Sequence, residues 1–363
     1  MIYRASAAQR PAKDMRQEAT IYDIAKAAGV SIATVSRVFN NSPRVSAATR
    51  DRVCASAREL GYVPHPSARS LARRQSHWIS AVIPMMTSYF YLEVLRGVQD
   101  SLLCSDFDLV VHSAASMETI DDQLTGVLQR GRSAGVLLFS TPLEADRLSM
   151  LRATRQPVVL VDVYHSAFDS VSIDNELGGY MATRHLIEQG YRRIGIVTAN
   201  VASVPSVERA QGYRRALREA GIPFEEALVH ASDDPDYHGF TEDAGRVAME
   251  SFLEMDAPPD AVFAVSDIQA LGAMQVVQER GVQGIGLIGF DDIMISKYVG
   301  LSTLRQPMYE MGRVALEKLL RRIETPERPI SQTHFNPRLV PRASSAPASR
   351  ESLVASGQGI TFA

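Results

Sequence analysis

The 363-residue chain contains only two cysteines, Cys54 and Cys104, and they lie far apart in sequence. This spacing excludes a disulfide framework and a cysteine-based zinc site. The chain has no uninterrupted apolar run of about 18 residues, and residues 1–20 lack the apolar segment of a secretory signal. We therefore expect a cytoplasmic protein that has no membrane partner.

Familiar catalytic motifs are also missing from the chain. It has no GxSxG elbow, HExxH pair or Walker loop, and the adjacent acids Asp291 and Asp292 do not by themselves indicate acid–base chemistry. Gly284, Gly286 and Gly289 have the spacing of a dinucleotide fingerprint, but they fall inside a predicted strand that no helix directly follows. We expect no enzyme, no catalytic residue, no metal site and no cofactor.

Charge is distributed unevenly along the chain. Residues 1–76 hold 13 Lys and Arg against 5 Asp and Glu, whereas the remainder holds 25 against 36. A basic module followed by an acidic body is typical of a phosphate-binding head attached to a separate domain. The alternative is a solvated basic tail.

Helix signals within the basic module are specific. Thr20 is predicted to N-cap a first helix that Gly29 ends, and Ser31 is predicted to cap a second helix that extends to Asn40. A helix, a tight glycine turn and a second helix form a helix-turn-helix. A third helix is predicted from Ser46 to about Leu60.

The predicted packing leaves one face of the second helix exposed. Val35 and Val38 point inward, as do Val53, Ala57 and Leu60 of the third helix. Such a helix enters the major groove of DNA, where an arginine can pair with guanine and apolar side chains can contact thymine methyls. The residues expected to contact DNA are Tyr22, Ile32, Ala33, Thr34, Ser36, Arg37 and Asn40. Of these, Arg37 is expected to read guanine, Ile32 and Ala33 to meet methyl groups, and the others to hold phosphates.

The run TIYDIAKAAGVSIATVSRVFNNSPRVSAATRDRVCASARELGYVPHPSARSL resembles the DNA-binding head of the lactose/galactose repressor (LacI/GalR) family of bacterial transcription regulators. The resemblance implies a hinge helix that orders in the minor groove when paired with its dimer mate. It also implies that Leu71 is the wedge between central base pairs, and that Ala68 lies where the two hinge helices touch. Ala72 replaces a lysine found in some relatives. The alternative for Leu71 is packing against the body.

The domain boundaries expected from these patterns are a flexible extension over 1–19, a helix-turn-helix domain over 20–63, a hinge helix or linker over 64–76, an effector-binding and dimerisation domain over 77–341, and a flexible tail over 342–363.

From Trp78 onward, short apolar runs alternate with helical patterns, which is typical of parallel, doubly wound sheets. A break near 174–175 divides this body into two similar halves. The predicted fold class is an all-α helix-turn-helix head joined to an α/β two-lobed body. The body resembles the type I periplasmic-binding-protein sensor, in which the chain crosses between the lobes about three times.

Ligand residues in such folds follow the carboxyl ends of strands. Asp162 and Asp291 each end a predicted strand and Arg209 opens a helix, and this combination suits a hydroxyl-rich ligand. The resemblance places these three residues and Gln306 on effector-contacting positions. Phe90 and Tyr91 could stack on a ring. Phe240 or Tyr237 could form the opposite wall. The alternative for each of these residues is core packing or loop capping.

At two positions the chain differs from the residues common in the family, so the effector of a relative cannot be assigned to it. Ser88–Tyr89 stands where the family often has Asn–Pro, and Ser266 stands where it often has Asn. The sequence therefore predicts a homodimeric regulator, expected to be a repressor, that binds a palindromic DNA operator under the control of a sugar, polyol or sugar acid. The alternatives are a nucleoside- or purine-responsive regulator and a sugar-binding transport protein. The transport protein would need a signal peptide and would have no basic head.

Overall fold

The computed structural model describes residues 20–39, 45–60, 76–84, 86, 88–103, 105–114, 117–129, 133–200, 203–232 and 239–346. Contacts divide the chain into two compact units, Met1–Ser76 and His77–Ala363. No helix among the described residues combines the length and apolarity that crossing a bilayer requires.

The first unit contains three helices, α1 (Ile21–Ala28), α2 (Ile32–Phe39) and α3 (Ala47–Glu59). Thr20 is the N-cap of α1, as predicted, and the carboxylate of Asp23 accepts from the Thr20 backbone N–H at 2.8 Å and from the Thr20 hydroxyl at 2.6 Å. Gly29 has φ 64°, a left-handed conformation that glycine adopts without steric cost. Its backbone thus turns the chain from α1 into α2, as the sequence predicts.

A small apolar core joins these three helices. It contains the buried side chains of Ile24, Val35, Val38, Val53 and Ala57. The inward placement predicted for Leu60 is wrong, because this side chain is 41% exposed beyond the end of α3. Asn40, Ala68, Leu71 and Ala72 lie outside the described residues, as does the extension over 1–19. The same is true of the predicted hinge apart from Ser76.

The second unit has two lobes, each built on a six-stranded sheet. The first sheet, in the order β11-β5-β4-β3-β1-β2, is parallel and contains β1 (Trp78–Ile83), β2 (Asp108–Ser113), β3 (Gly135–Phe139), β4 (Val158–Val161), β5 (Asp169–Ile173) and β11 (Gln332–Phe335). The second sheet, in the order β12-β10-β9-β8-β6-β7, contains β6 (Ile194–Thr198), β7 (Val229–Ala231), β8 (Ala261–Ala264), β9 (Gly286–Asp291), β10 (Ser302–Arg305) and the antiparallel β12 (Arg338–Val340).

Helices cover the faces of both sheets, so the central strands β3, β4 and β8 are buried on both sides and are apolar throughout. The first lobe contains α4 (Tyr89–Leu102), α5 (Met117–Leu128), α6 (Ala145–Ala153) and α12 (Met308–Glu324); the second contains α7 (Asn175–Glu188), α8 (Val204–Glu219), α9 (Glu242–Leu253), α10 (Asp267–Glu279) and α11 (Met294–Tyr298). The helical patterns of the sequence did not predict α6, α9, α11 and α12. They also began α8 at Arg209, whereas the helix begins five residues earlier, where the Ser203 hydroxyl accepts from the Ser206 N–H.

The chain crosses between the lobes three times, as the family resemblance implies. The first crossing is at Asp174, after β5; the second is at Gln306 and Pro307, between β10 and α12; the third separates β11 from β12. The Asp174 backbone N–H donates to the carbonyl oxygen of Phe335 at 2.9 Å. This bond fastens the first crossing to the third.

The glycines that resemble a dinucleotide fingerprint serve packing. A Cβ at Gly286 would lie 2.5 Å from the ring of Tyr191, and a Cβ at Gly289 would overlap the carboxylate of Asp267. Gly284 has φ 86° in the turn before β9. Each glycine therefore meets a local steric or backbone requirement of the second lobe.

The expectation of a flexible tail from residue 342 is wrong for residues 342–346. Arg342 donates to Asp292 Oδ1 at 2.6 Å, and Ser345 shares a hydrogen bond of 2.7 Å with His185 Nε2. The small polar residues of this segment carry no periodic apolar pattern, so their contacts with distant residues left no local signal in the sequence.

We expect a chain that ends at Pro341 to be about 2–4 kcal/mol less stable than the full chain, because Asp292 and His185 lose hydrogen-bond partners. The urea midpoint of unfolding is the measurement. A chain that ends at Ala346 is the control and should match the full-length protein. Equal midpoints for both truncations would contradict a structural role for residues 342–346.

Candidate nucleic-acid interface and ligand cavity

The outer face of α2 carries the side chains predicted to read base edges. Ile32, Ala33 and Arg37 are exposed, and the Ile32 side chain is 41% accessible, whereas Val35 and Val38 on the opposite face are buried. An apolar and cationic surface on the second helix of a helix-turn-helix suits the major groove. The helix therefore has the division of faces that base readout requires.

The other predicted DNA contacts differ in their surroundings. Tyr22 lies on α1 and is 67% exposed. Thr34 and Ser36 are half-buried, and the Thr34 hydroxyl is 2.9 Å from that of Ser31, which caps α2 by accepting from the Thr34 N–H. Thr34 thus also takes part in the helix cap.

A cavity of about 300 Å³ lies between the two lobes, where strands of both sheets end. It contains all six residues predicted to bind the effector. Its lining is Ser88, Tyr89, Phe90, Tyr91, Ser140, Pro142, Asp162, Ser203, Pro205, Arg209, Phe240, Thr241, Glu242, Ser266, Ile268, Asp291 and Gln306. Phe240 is the predicted opposite wall, and Tyr237 lies outside the described residues.

Asp162, which follows β4, is the polar centre of the first lobe's side of the cavity. Its side chain is buried, and its Oδ2 accepts from the Ser140 hydroxyl at 2.7 Å. Within the part of the chain that the structure describes, Asp162 Oδ1 has no hydrogen-bond partner. Ser140 and Asp162 have φ 40° and 63°, an arrangement that costs free energy for residues other than glycine and is found at binding sites.

Arg209 lies opposite, on α8, and its guanidinium is held from three sides. Nε donates to Asn175 Oδ1 at 2.9 Å, Nη1 donates to the carbonyl oxygen of Val265 at 2.6 Å, and the guanidinium carbon lies 3.6 Å from the centre of the Phe290 ring. Burial lowers the pKa of Arg209, and Asp291 and Asp162 oppose this effect. Arg209 thus both supports the fold and supplies positive charge to the cavity.

Asp291 and Gln306 form a pair on the second lobe's side. Gln306 Nε2 donates to Asp291 Oδ1 at 2.6 Å, while its Oε1 is a buried acceptor without a partner among the described residues. Asp291 is at the end of β9 with φ 124°. Because Gln306 begins the second crossing, this hydrogen bond ties the crossing to the cavity.

The cavity contains carboxyl groups whose charge is costly to bury. Desolvation raises the pKa of Asp162 to about 6, although Arg209 and the Ser140 hydroxyl oppose the shift. Burial also raises the pKa of Asp291, against the effect of Arg209. A ligand that donates hydrogen bonds would stabilise these carboxylates.

Aromatic side chains provide the apolar part of the lining. Phe90 and Tyr91, in the first turn of α4, are largely buried in the core of the first lobe, and their ring centres are 5.3 Å apart in an edge-to-face arrangement. Both therefore fit the core interpretation as well as lining the cavity. Tyr89, which was not among the predicted ligand residues, also lines the cavity and is more exposed than either.

Several lining residues were missed at the sequence level. Ser140 directly follows β3, so the rule that ligands lie at strand ends could have identified it. Thr241 caps α9 and Glu242 begins it, and the sequence pattern did not predict this helix. Ser266, noted only as a departure from the family, caps α10 and lines the cavity.

A helix-turn-helix unit followed by a two-lobed body with a polar cavity defines a class of ligand-controlled DNA-binding proteins. Residues 20–65 match the family described as bacterial regulatory proteins, lacI family, and residues 183–345 match the periplasmic binding protein-like domain. The chain is 33% identical over 316 residues to the HTH-type transcriptional repressor CytR of Escherichia coli (strain K12), which covers 85% of this chain and 91% of CytR. The chain therefore belongs to the LacI family and is a DNA-binding transcription regulator.

Two solved structures agree with this assignment. A transcriptional regulator CelR–cellobiose complex is 32% identical with a TM-score of 0.67, and the match covers 90% of this chain and 99% of CelR. The lac repressor dimer bound to operator and the anti-inducer ONPF is 25% identical with a TM-score of 0.79, covering 92% of this chain and 100% of that chain. The predicted family and fold class are confirmed.

The raised pKa of Asp162 has a consequence for stability. A carboxyl group with a higher pKa in the folded than in the unfolded state destabilises the protein as pH rises from about 4 through about 6. We therefore expect Asp162→Asn to stabilise the protein by about 1–3 kcal/mol at pH 7 and to have little effect at pH 4. Thermal unfolding at both pH values measures this difference.

The control for this prediction is Asp122→Asn, which makes the same change on the exposed surface of α5. It should not shift the pH dependence of stability. Loss of stability in Asp162→Asn at pH 7 would show that the carboxylate itself supports the fold.

Proposed function

We propose that this protein is a homodimeric repressor that binds a palindromic operator with one head on each half-site, and that a neutral, hydroxyl-rich small molecule in the cavity controls it. The observation that carries the proposal for the effector concerns two buried acceptors in one cavity, Asp162 Oδ1 and Gln306 Oε1, for which the residues that the structure describes supply no hydrogen-bond partner. Buried polar atoms normally have hydrogen-bond partners, so these two oxygens favour a ligand rich in donors.

The DNA part of the proposal assigns roles to the exposed residues of the head. Arg37 pairs with guanine, Ile32 and Ala33 contact thymine methyl groups, and Tyr22, Thr34, Ser36 and Asn40 contact phosphates. Leu71 acts as the wedge in the minor groove. Twofold symmetry supports a dimer, since one small head buries a limited surface and a palindromic site doubles it. The lac repressor is a dimer on its operator in the matched structure.

Charge balance narrows the chemical class of the effector. Counted over the described residues, the cavity lining contains three carboxyl side chains, Asp162, Asp291 and Glu242, against one guanidinium, that of Arg209. The carboxylates of Asp291 and Asp162 already favour the charged form of Arg209 and so partly balance its positive charge. A sugar acid or sugar phosphate would therefore bring a further anion to a negative cavity. This balance favours a neutral sugar or polyol, and the matched CelR structure holds cellobiose.

The effector can control DNA binding because it binds one arrangement of the two lobes more tightly than another. The cavity is lined by both lobes, so a ligand that contacts both stabilises one relative arrangement of the lobes over others. In the proposed mechanism this shift biases the hinge, residues 64–76, between ordered and disordered states. The effect on DNA affinity is then limited by the ratio of the effector's affinities for the two states.

We expect Arg37→Ala to weaken binding to the preferred DNA sequence by about 1–3 kcal/mol and to relax the preference at one base pair, because a bidentate contact to guanine is lost. Duplexes selected from a random pool by the native protein provide the preferred sequence, and titration measures affinity. Arg52→Ala, an exposed arginine on α3, is the matched control. Equal weakening of Arg37→Ala on selected and random DNA would reassign Arg37 to phosphate binding.

The effector class can be tested by thermal unfolding with cellobiose, D-ribose, mannitol, D-gluconate, glucose 6-phosphate and adenosine. A ligand at about 100 times its dissociation constant adds roughly 2.7 kcal/mol of stability. We expect stabilisation by a neutral sugar or polyol, and about tenfold or greater loss of affinity in Asp162→Asn, because a hydrogen bond to a charged acceptor is lost.

Stabilisation by D-gluconate or glucose 6-phosphate alone would overturn the preference for a neutral effector. Stabilisation by adenosine alone would favour the nucleoside alternative. Undiminished affinity in Asp162→Asn would remove this residue from the binding site.

A further inference from the structure

The side chain of Gln269, a residue close to the cavity lining, makes three hydrogen bonds. Gln269 is the third residue of α10 and is fully buried. Its Oε1 accepts from the Ser266 hydroxyl at 3.1 Å, and its Nε2 donates to the carbonyl oxygens of Gly239 at 2.9 Å and Thr198 at 3.3 Å. Because carbonyl oxygens only accept, the two of them fix which end of the amide carries the nitrogen.

The bond to Gly239 anchors one end of the cavity wall, which we define as residues 239–241. Phe240 and Thr241 of this wall line the cavity. At the other end, the Thr241 hydroxyl accepts from the Ala244 N–H at 3.1 Å and so caps α9. Gly239 has φ 81°, and a Cβ there would lie 2.6 Å from that of Ser232. The wall is therefore held by α9 at one end and by the Gln269 amide at the other.

The bond to Ser266 changes what the cavity offers a ligand. The Ser266 hydroxyl gives its proton to Gln269 Oε1, and its oxygen also accepts from the Gln269 backbone N–H at 3.4 Å. Toward the cavity, Ser266 is left with acceptor capacity alone. It thus has the same hydrogen-bonding character as Asp162 Oδ1 and Gln306 Oε1.

The packing of α9 on α10 does not depend on the Gln269 side chain. A Cβ at Gly245 of α9 would overlap the backbone carbonyl of Gln269, and one at Gly272 of α10 would overlap that of Glu242. These two glycines let the helix backbones meet directly. Removing the amide should therefore free the wall without separating the helices.

We propose that Gln269 is a positioning residue, which holds the Phe240 wall of the cavity in place and makes Ser266 an acceptor. The inference rests on the proposed function only in that the cavity binds the effector. Its test measures the wall itself and needs no ligand, so failure of the proposed effector class and failure of this inference are distinguishable.

The test places a fluorescent reporter in the wall. Trp78 is the single tryptophan of the chain, so Trp78→Phe combined with Phe240→Trp makes position 240 the only tryptophan, whose emission can be excited selectively over that of the tyrosines. Acrylamide quenching then reports how accessible the wall is. We expect Gln269→Met in this background to raise the quenching constant by about twofold or more. Loss of the hydrogen bond to the Gly239 carbonyl is expected to change the ratio of displaced to held wall by at least this factor.

Three variants keep the test specific. Gln269→Glu retains an acceptor for Ser266 but faces two carbonyl oxygens with a carboxylate, so it should raise quenching at least as much as Gln269→Met. Ser266→Ala leaves both bonds from Nε2 in place and should leave quenching unchanged. Gln275→Met makes the same substitution on the exposed surface of α10 and should also have no effect.

Thermal unfolding of each variant establishes that it is folded at the temperature of the measurement. Unchanged quenching in folded Gln269→Met would overturn the positioning role. An equal rise in Ser266→Ala would assign the wall's position to the serine rather than to the amide nitrogen.

Discussion

The buried guanidinium of Arg209 is the constraint on which the geometry of the cavity depends. It bonds to Asn175 just after the first crossing and to the carbonyl of Val265 after β8, and it covers the Phe290 ring on β9. Each of these contacts belongs to the second lobe. Its charge also opposes the rise in pKa that desolvation causes at Asp162, a residue of the first lobe. One cation therefore both fixes the arrangement of strand ends within one lobe and makes burial of a carboxylate in the other tolerable.

That compensation is incomplete, and the uncompensated cost supports the proposed ligand site. Asp162 keeps a raised pKa, and its Oδ1 has no partner in the described parts of the chain. Ser140, Asp162 and Asp291 all have positive φ at strand ends. Each feature costs free energy in the isolated protein, and the surrounding sheets supply the stability that maintains it. A ligand that donates to these oxygens recovers part of that cost. Binding strength and the stability of the unliganded fold are thus opposed at the same atoms.

Local sequence patterns predicted the parts of this protein whose contacts are regular. Strands such as β3, β4 and β8 are continuous apolar runs, and residues that follow such strands lie at the carboxyl edge of their sheet. Asp162 and Asp291 could therefore each be placed at the edge of its own sheet, and the predicted cleft between two lobes is what brings the two edges together. The runs QTHF and RLV of β11 and β12 carry no such pattern, since these strands lie at sheet edges and are only partly buried. Ser345 gave no signal because its partner, His185, lies 160 residues away.

The glycines before Asp291 illustrate how spacing alone can suggest the wrong chemistry. Gly289 is required because Asp267 occupies the space of its Cβ. The Asp267 carboxylate, in turn, accepts from the Ile293 N–H and from the hydroxyls of Ser296 and Thr303, which joins α10 to α11 and β10. A buried carboxylate that receives three hydrogen bonds needs this space, and the residue that provides it lies 22 positions along the chain. A glycine pattern therefore identifies a phosphate site only when the contacts of each glycine leave the backbone open to a ligand.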